Sequence, residues 1–224
     1  MQIRLYRWNS FCQFKREICV MKGQYRGKSG KCTWNPTEVQ EQVLIGTLLG
    51  DGCLAKKGRN CRLHVKHSIG QLPFVEWKRE MFKDITSMNI NVFEQEVVGK
   101  NYGFCQFATK THPFFTEYRD IFYEDGRKRI PSNIQELLST PLALATWFMD
   151  DGTRSCQGLT LQTNCFEVEE VELLQTVLLN NFEIKTTSKD EKGRRVIYVL
   201  KNMVPKFRSL VEPHMLPSML YKFP

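Results

Sequence analysis

LIGTLLGDG at residues 44 to 52 returns in altered form as LATWFMDDG at residues 144 to 152. Each is an apolar stretch of helical character that ends in an Asp-Gly pair, and Asp51 and Asp151 stand a hundred residues apart. That period is too long for a solenoid and suits a duplicated half-domain, so the chain is expected to hold a pseudo-dimer.

A single Asp-Gly pair is most often an ordinary helix-ending turn, but two at matched places carry more weight. An acid at the base of each of two paired helices brings two carboxylates close to one pseudo-twofold axis, where their repulsion is tolerable with cations between them. A divalent metal site follows. Gly46 and Gly50 lie four apart on one helical face and let a partner helix approach closely, whereas the second motif is bulkier there, with Thr146 and Asp150.

Composition sets the frame around the repeat. With 224 residues, 42% of them hydrophobic and 12% aromatic, the chain can bury a sizeable core in one large or two small domains. No apolar run reaches the roughly 18 residues of a membrane span, so a soluble protein without a membrane partner is expected. The formal charge of +8 and pI near 9.1 favour a polyanionic partner, with nucleic acid ahead of a membrane surface. The eight cysteines form no C-x-x-C pair and follow no secretory segment, which points to a reduced compartment. Cys53 and Cys61 with His64 and His67 do not match common zinc-finger spacings.

Along the chain, residues 1–36 read as a basic extension in which Arg4, Arg7, Lys15, Arg16, Lys22, Arg26, Lys28 and Lys31 face the single acid Glu17. Three readings stand: an arm along DNA phosphates, a solvated surface segment, or an Arg-rich organelle transit peptide. Pro36, Thr37 and Glu38 open the first motif helix, with Thr37 as its N-cap. After a loop, residues 59–68 alternate as a half-buried strand with a basic face made by Arg62, His64 and Lys66. A helix follows over residues 71–88, then strands at 91–98 and 103–109 joined through Gly99 to Gly103, and an aromatic helix from His112 to Tyr123. The first half thus covers residues 37–124, and DGRKRIP at residues 125–131 is the connector. The second half, residues 132–224, repeats the plan: a Ser132 cap, the motif helix, a strand at 158–164, a helix at 167–182, strands at 183–188 and 195–201, and a helix at 203–212.

Together with both motifs, IPSNI at 130–134, TPLALATWFMDDG at 140–152, LQTNCF at 161–166 and MLPSMLYKFP at 215–224 resemble the LAGLIDADG homing endonucleases. The resemblance is to the single-chain, two-motif subgroup encoded in organellar group I introns and spans residues 37–224. It implies an α+β fold of two pseudo-symmetric αββαββα halves, with saddle-shaped antiparallel sheets on DNA and the motif helices packed at the central interface. It further implies that Asp51 and Asp151 bind catalytic Mg²⁺, with Mn²⁺ as a substitute, assisted by the backbone carbonyls of Gly50 and Asp150. A metal there stabilises the attacking water and leaving 3′ oxygen of each scissile phosphate in an in-line hydrolysis. Lys128 before IP and Lys222 in YKFP fall at the basic positions beside each metal, and Gln162 at the polar position that holds metal-site waters. The first-half counterpart of Gln162 is left open between Lys66 and His67, and this departure predicts unequal cleavage of the two strands.

Groove-reading candidates on the sheet faces are Arg59, Arg62, His64, Lys66, Gln106, Lys110, Lys185, Lys189, Lys192, Arg194 and Arg195. The expected activity is site-specific double-strand DNA cleavage leaving short 3′ overhangs, by a monomer from a chloroplast or mitochondrial gene. An RNA maturase that helps its host intron splice and a noncatalytic DNA-binding regulator are the alternatives. Intact Asp51, Asp151, Lys128 and Lys222 favour the enzyme.

Overall fold

The computed structural model describes residues 34–224 except Gln157 and Lys192, and of Glu191 only the backbone. The basic arm therefore lies outside the described residues up to position 33, as does the groove candidate Lys192. The elements described below lie in one compact unit, Glu38–Pro224.

In this unit, α1 (Glu38–Leu49), β1 (Cys53–Lys57), β2 (Asn60–Ser68), α2 (Leu72–Met81), β3 (Asn91–Val97), β4 (Lys100–Ala108) and α3 (Pro113–Phe122) make the first half. A small hairpin, β5 (Tyr123–Glu124) with β6 (Arg127–Lys128), and the short α4 (Ile134–Leu137) connect it to the second. There α5 (Pro141–Asp151), β7 (Gly152–Ser155), β8 (Gly158–Leu161), α6 (Val168–Phe182), β9 (Thr186–Glu191), β10 (Arg194–Val199) and α7 (Val204–Val211) repeat the order. Each half carries an antiparallel four-stranded sheet, ordered β1-β2-β4-β3 in one and β7-β8-β10-β9 in the other, the same topology twice.

The motif helices are buried on nearly every side: Val43 to Leu49 in α1 and Ala143 to Asp150 in α5. An all-round apolar helix has no solvent face to show, so it belongs at the centre of the fold. A Cβ on Gly46 would overlap the Ala143 carbonyl oxygen and lie 2.6 Å from the Thr146 Cβ, and one on Gly50 would overlap the Asp150 side chain. The glycines of α1 are thus the groove into which the larger residues of α5 fit. Pro141 occupies the first turn of α5 and the Thr140 hydroxyl accepts from the Ala143 N–H, a side-chain cap of a free backbone donor.

Several boundaries differ from those read in the sequence, each for a local reason. Cys53–Lys57, read as loop, is strand β1, paired with β2 from Cys53 opposite His64 to Lys57 opposite Asn60. The link between β3 and β4 is a two-residue turn of Val98 and Gly99, both with positive φ (50° and 73°), rather than the longer stretch to Gly103. Strand β9 starts at Thr186, not 183, because Glu183 ends α6 in the left-handed conformation (φ 56°) with its N–H bonded to Leu179. Asn133, not Ser132, precedes α4, and Thr140 rather than either caps the motif helix. Among the described residues no helix is long and apolar enough to cross a membrane.

Candidate active site

The ends of α1 and α5 bring three acids together. Asp51 is half exposed (side chain 52%), Asp150 is wholly buried against Gly50 of the facing helix, and Asp151 is partly buried. Two lysines reach the helix ends from unrelated local structures. Lys128, in the β5–β6 hairpin, donates through Nζ to the carbonyls of Gly50 (2.7 Å) and Gly52 (2.8 Å). Lys222, in the last 3-10 turn Pro217–Lys222, donates to those of Asp150 (2.9 Å) and Gly152 (2.9 Å). Residues 50 and 52 correspond to 150 and 152, so one arrangement is built twice about the pseudo-twofold. Cations are favoured at helix C-termini, where unpaired carbonyls and the dipole present negative charge.

Burial sets the electrostatics of this cluster. It pushes the Asp151 carboxyl up to about 7, with further push from Asp51 and Asp150, against the pull of Lys128 and Lys222. Burial also raises Asp51, with Asp150 adding to it while His67, Lys78 and Lys128 oppose. Both lysines are lowered by burial, which outweighs their acidic neighbours. Asp150 departs from this pattern: burial would raise it, yet Lys78 and His67 together hold it below the ordinary carboxylate range.

Those two partners were not read from the sequence. Lys78 of α2 is fully buried, its Nζ 2.7 Å from each Asp150 carboxylate oxygen and 4.3 Å from the centre of the Phe74 ring. His67 of β2 stands between two acids, Nδ1 3.5 Å from Asp51 Oδ2 and Nε2 3.3 Å from Asp150 Oδ1, the latter off the line of a hydrogen bond. A signal for Lys78 existed: it interrupts an apolar helical row of Phe74, Val75 and Phe82, a place where a lysine is stable only with a buried partner. Among the described residues, one group of His, Cys, Asp and Glu has ligand atoms close enough to share an ion, namely Asp51, His67 and Asp150. The Lys78 ammonium already supplies a cation to Asp150, so this trio does not need one.

Strand register settles which residue matches Gln162. Cys53 pairs with His64 while Gly152 pairs with Leu161, so with Gly52 and Gly152 equivalent, Val65 matches Leu161 and Lys66 matches Gln162. His67 then matches Thr163, whose hydroxyl donates to the Arg195 carbonyl (2.8 Å). Gln162 sits just behind β8, its N–H on the Asp151 carbonyl (3.0 Å) and its side-chain oxygen accepting from Asn164 (3.2 Å). Lys66 points elsewhere, donating to Gln95 (2.6 Å) with its ammonium over Phe104.

The first-half groove candidates gather on one sheet face. Arg62, His64 and Lys66 alternate with buried Cys61, Leu63, Val65 and His67, and Gln106 joins them opposite Lys66, 3.3 Å from His64. Arg59 is exposed in the β1–β2 turn, and Lys110 lines an open recess with Arg62 and Lys57, a cation the sequence reading passed over. In the second half Lys189 lies over the Tyr198 ring, Arg194 bonds to the Asn164 carbonyl, and Lys185 is exposed just before β9. Arg195 falls on the opposite face, where it pairs with Glu172 of α6 (3.3 Å), because it alternates with Arg194 along the strand.

Residues 41–207 match the model of the LAGLIDADG DNA endonuclease family. Among curated relatives, the cytochrome b mRNA maturase bI2 of Debaryomyces hansenii is 30% identical over 189 residues, covering 81% of this chain and 72% of that protein. That of Saccharomyces cerevisiae is 30% identical over 195 residues, but the chain spans only 46% of its length. A probable intron-encoded endonuclease 1 of Wickerhamomyces canadensis is 29% identical over 215 residues, 87% of this chain and 88% of that one. Among solved structures, the homing endonuclease I-WcaI bound to its DNA recognition sequence superposes with a TM-score of 0.79 at 26% identity, covering 90% of this chain and 96% of that one.

Proposed function

The chain belongs to the LAGLIDADG DNA endonuclease family, and from that membership we propose that it is a site-specific, divalent-metal-dependent endonuclease that cuts both strands of a long DNA target and leaves short 3′ overhangs. The observation that carries this reading is the doubled site: an acid and a carbonyl-bound lysine at the end of each motif helix, Asp51 with Lys128 and Asp151 with Lys222. Two strands require two phosphodiester hydrolyses, which an arrangement built twice would serve.

Asp51 and Asp151 would offer hard carboxylate oxygens suited to Mg²⁺ or Mn²⁺, and the carbonyls of Gly50 and Asp150, each already accepting from a lysine, would have a second lone pair to add. Burial and repulsion from the neighbouring acids raise both carboxyls, so a bound cation would compete with protons for them. A bound divalent cation supplies Lewis-acid stabilisation of the attacking and leaving oxygens. The chain's own groups do the rest. Lys128 and Lys222 fix the helix ends and place an ammonium beside each scissile phosphate, where charge accumulates in the transition state. Gln162, whose N–H bonds the Asp151 carbonyl, is the residue we assign to orient a water next to Asp151. Arg62, His64, Lys66, Gln106, Lys189 and Arg194 hold the duplex against the two sheets.

Domain roles follow the same reading: residues 1–36 are an extension, residues 37–124 and 132–224 the two halves, and residues 125–131 the connector that delivers Lys128. We place the gene in an organellar intron, in keeping with relatives named cytochrome b mRNA maturases and an intron-encoded endonuclease. Those maturases also support a second reading, in which the chain binds its host intron RNA and assists splicing. Incubating the protein with DNA that joins the flanking exons separates the two. One double-strand cut in Mg²⁺, absent in Ca²⁺, supports the enzyme; tight binding without a cut, together with stimulated splicing of the intron, supports the maturase.

The raised acids give a second expectation. A carboxyl whose folded pKa lies above its unfolded value destabilises the fold increasingly as pH rises from the unfolded value to the folded one, here from about 4 to about 7 for Asp151. The metal-free protein is therefore expected to melt higher at pH 5 than at pH 8. Mg²⁺ should raise the melting temperature more at pH 8, because it replaces the protons lost. Asp151→Asn should flatten the pH dependence and shrink the metal increment. An equal Mg²⁺ shift at both pH values would count against these acids as ligands.

A further inference from the structure

The two halves differ behind their acids, and the difference is confined to one of them. His67 is buried (side chain 2% exposed) with its ring held 5.5 Å from that of Phe74, which in turn stacks on Trp77 at 5.9 Å. Phe74 is itself packed against Met149 and Met219 of the second half. The imidazole is therefore fixed in place by the interface between halves. From that position it spans the buried Asp150, already clamped by Lys78, and the half-exposed Asp51. At the matching place in the other half stands Thr163, whose hydroxyl donates to the Arg195 carbonyl. The chain Lys78, Asp150, His67 ends on Asp51.

We propose that His67 is a positioning residue for Asp51, so that the two strands are cut by sites of unequal dependence: the strand processed at Asp51 needs the buried Lys78–Asp150–His67 chain, and the strand processed at Asp151 does not. This rests on the endonuclease reading above. The physical argument is orientation. Asp51 is exposed and has room for other rotamers, while a ring locked on its inner side restricts where its carboxylate sits, and an error of about 1 Å at a reacting centre costs on the order of 100-fold in rate. On the other side the Gln162 N–H bonds the Asp151 carbonyl and Thr163 stands where His67 does in the first half.

The test follows both strands of one substrate. A plasmid carrying the exon-junction target, labelled so that each strand is scored separately, is cut in Mg²⁺ by the full-length wild type, His67→Thr and His67→Asn. Asp51→Asn identifies the strand that belongs to Asp51. His67→Thr, which copies the arrangement of the second half, is expected to slow that strand by about 10-fold or more and to change the other by less than about twofold. Because the readout is a ratio within the same enzyme molecules, partial misfolding lowers both rates and leaves the ratio alone. Wild-type cleavage with both strands slowed equally by His67→Thr and His67→Asn, with neither slowed, or with the opposite strand slowed, overturns the assignment and leaves the endonuclease reading standing. A wild type that cuts neither strand overturns the endonuclease reading, and the assignment falls with it.

Discussion

Asp51→Asn should lower double-strand cleavage by about 1,000-fold or more, while affinity for the target DNA in Ca²⁺ stays within about threefold. Asparagine keeps the volume and shape of the side chain but removes the charge on which a cation site depends, and a cation is worth several kcal/mol of transition-state stabilisation. Folding should tolerate the change, since the side chain is half exposed and its removal relieves repulsion with the buried Asp150. The residues expected to hold the duplex lie on the sheet faces and are untouched. Asp151→Asn is the matched variant, with the same loss expected. Loss of DNA binding or of the folded state in parallel with cleavage would show that the acids are structural, and full cleavage by either variant would remove that acid from the chemistry.

Lys78→Met should be the most destabilising single change near the site, at about 3–5 kcal/mol, or a melting temperature lower by roughly 10 °C. The ammonium is fully buried with both carboxylate oxygens of Asp150 at 2.7 Å, so its removal strands a charge with no solvent. His67 at 3.3 Å is poorly aligned to replace it. Adding Asp150→Asn to Lys78→Met should recover most of the loss, because replacing both members of a buried pair is far cheaper than removing one. Urea melts of the single and double variants give the comparison. A single variant within about 1 kcal/mol of the wild type would mean that Asp150 is not ionised in the fold.

How much of this was legible beforehand depends on whether a feature is local. The Asp-Gly repeat and the duplicated order of elements are patterns along the chain, and they place the helix ends without knowledge of the tertiary fold. Lys222 and Lys128 came from motif resemblance. That each bonds two carbonyls of a motif helix is a tertiary fact, because one arrives on a hairpin and the other on a 3-10 turn. Short strands such as β1, with Lys56 and Lys57 exposed at its end, lack the alternation that marks a half-buried strand, so Cys53–Lys57 reads as loop. Between Lys66 and His67, the sequence left the counterpart of Gln162 open. Only the register, fixed by hairpins of different length in the two halves, shows that His67 stands a residue beyond the Gln162 position and on the inner face. Arg195 was misplaced by the same parity: one step along β10 moves a side chain from the groove side to the helix side.

The pairing of Gly46 and Gly50 with Thr146 and Asp150 bears on how such a molecule can be rebuilt. The two motif helices are complementary rather than interchangeable. A protein assembled from two first halves would face glycine with glycine and leave gaps along its central seam. Two second halves would set threonine against threonine and bury two carboxylates where one lysine now serves one. The duplicated halves have thus diverged into lock and key, and a chimera with a new target would have to inherit α1 and α5 together, exchanging the sheets while leaving the seam intact.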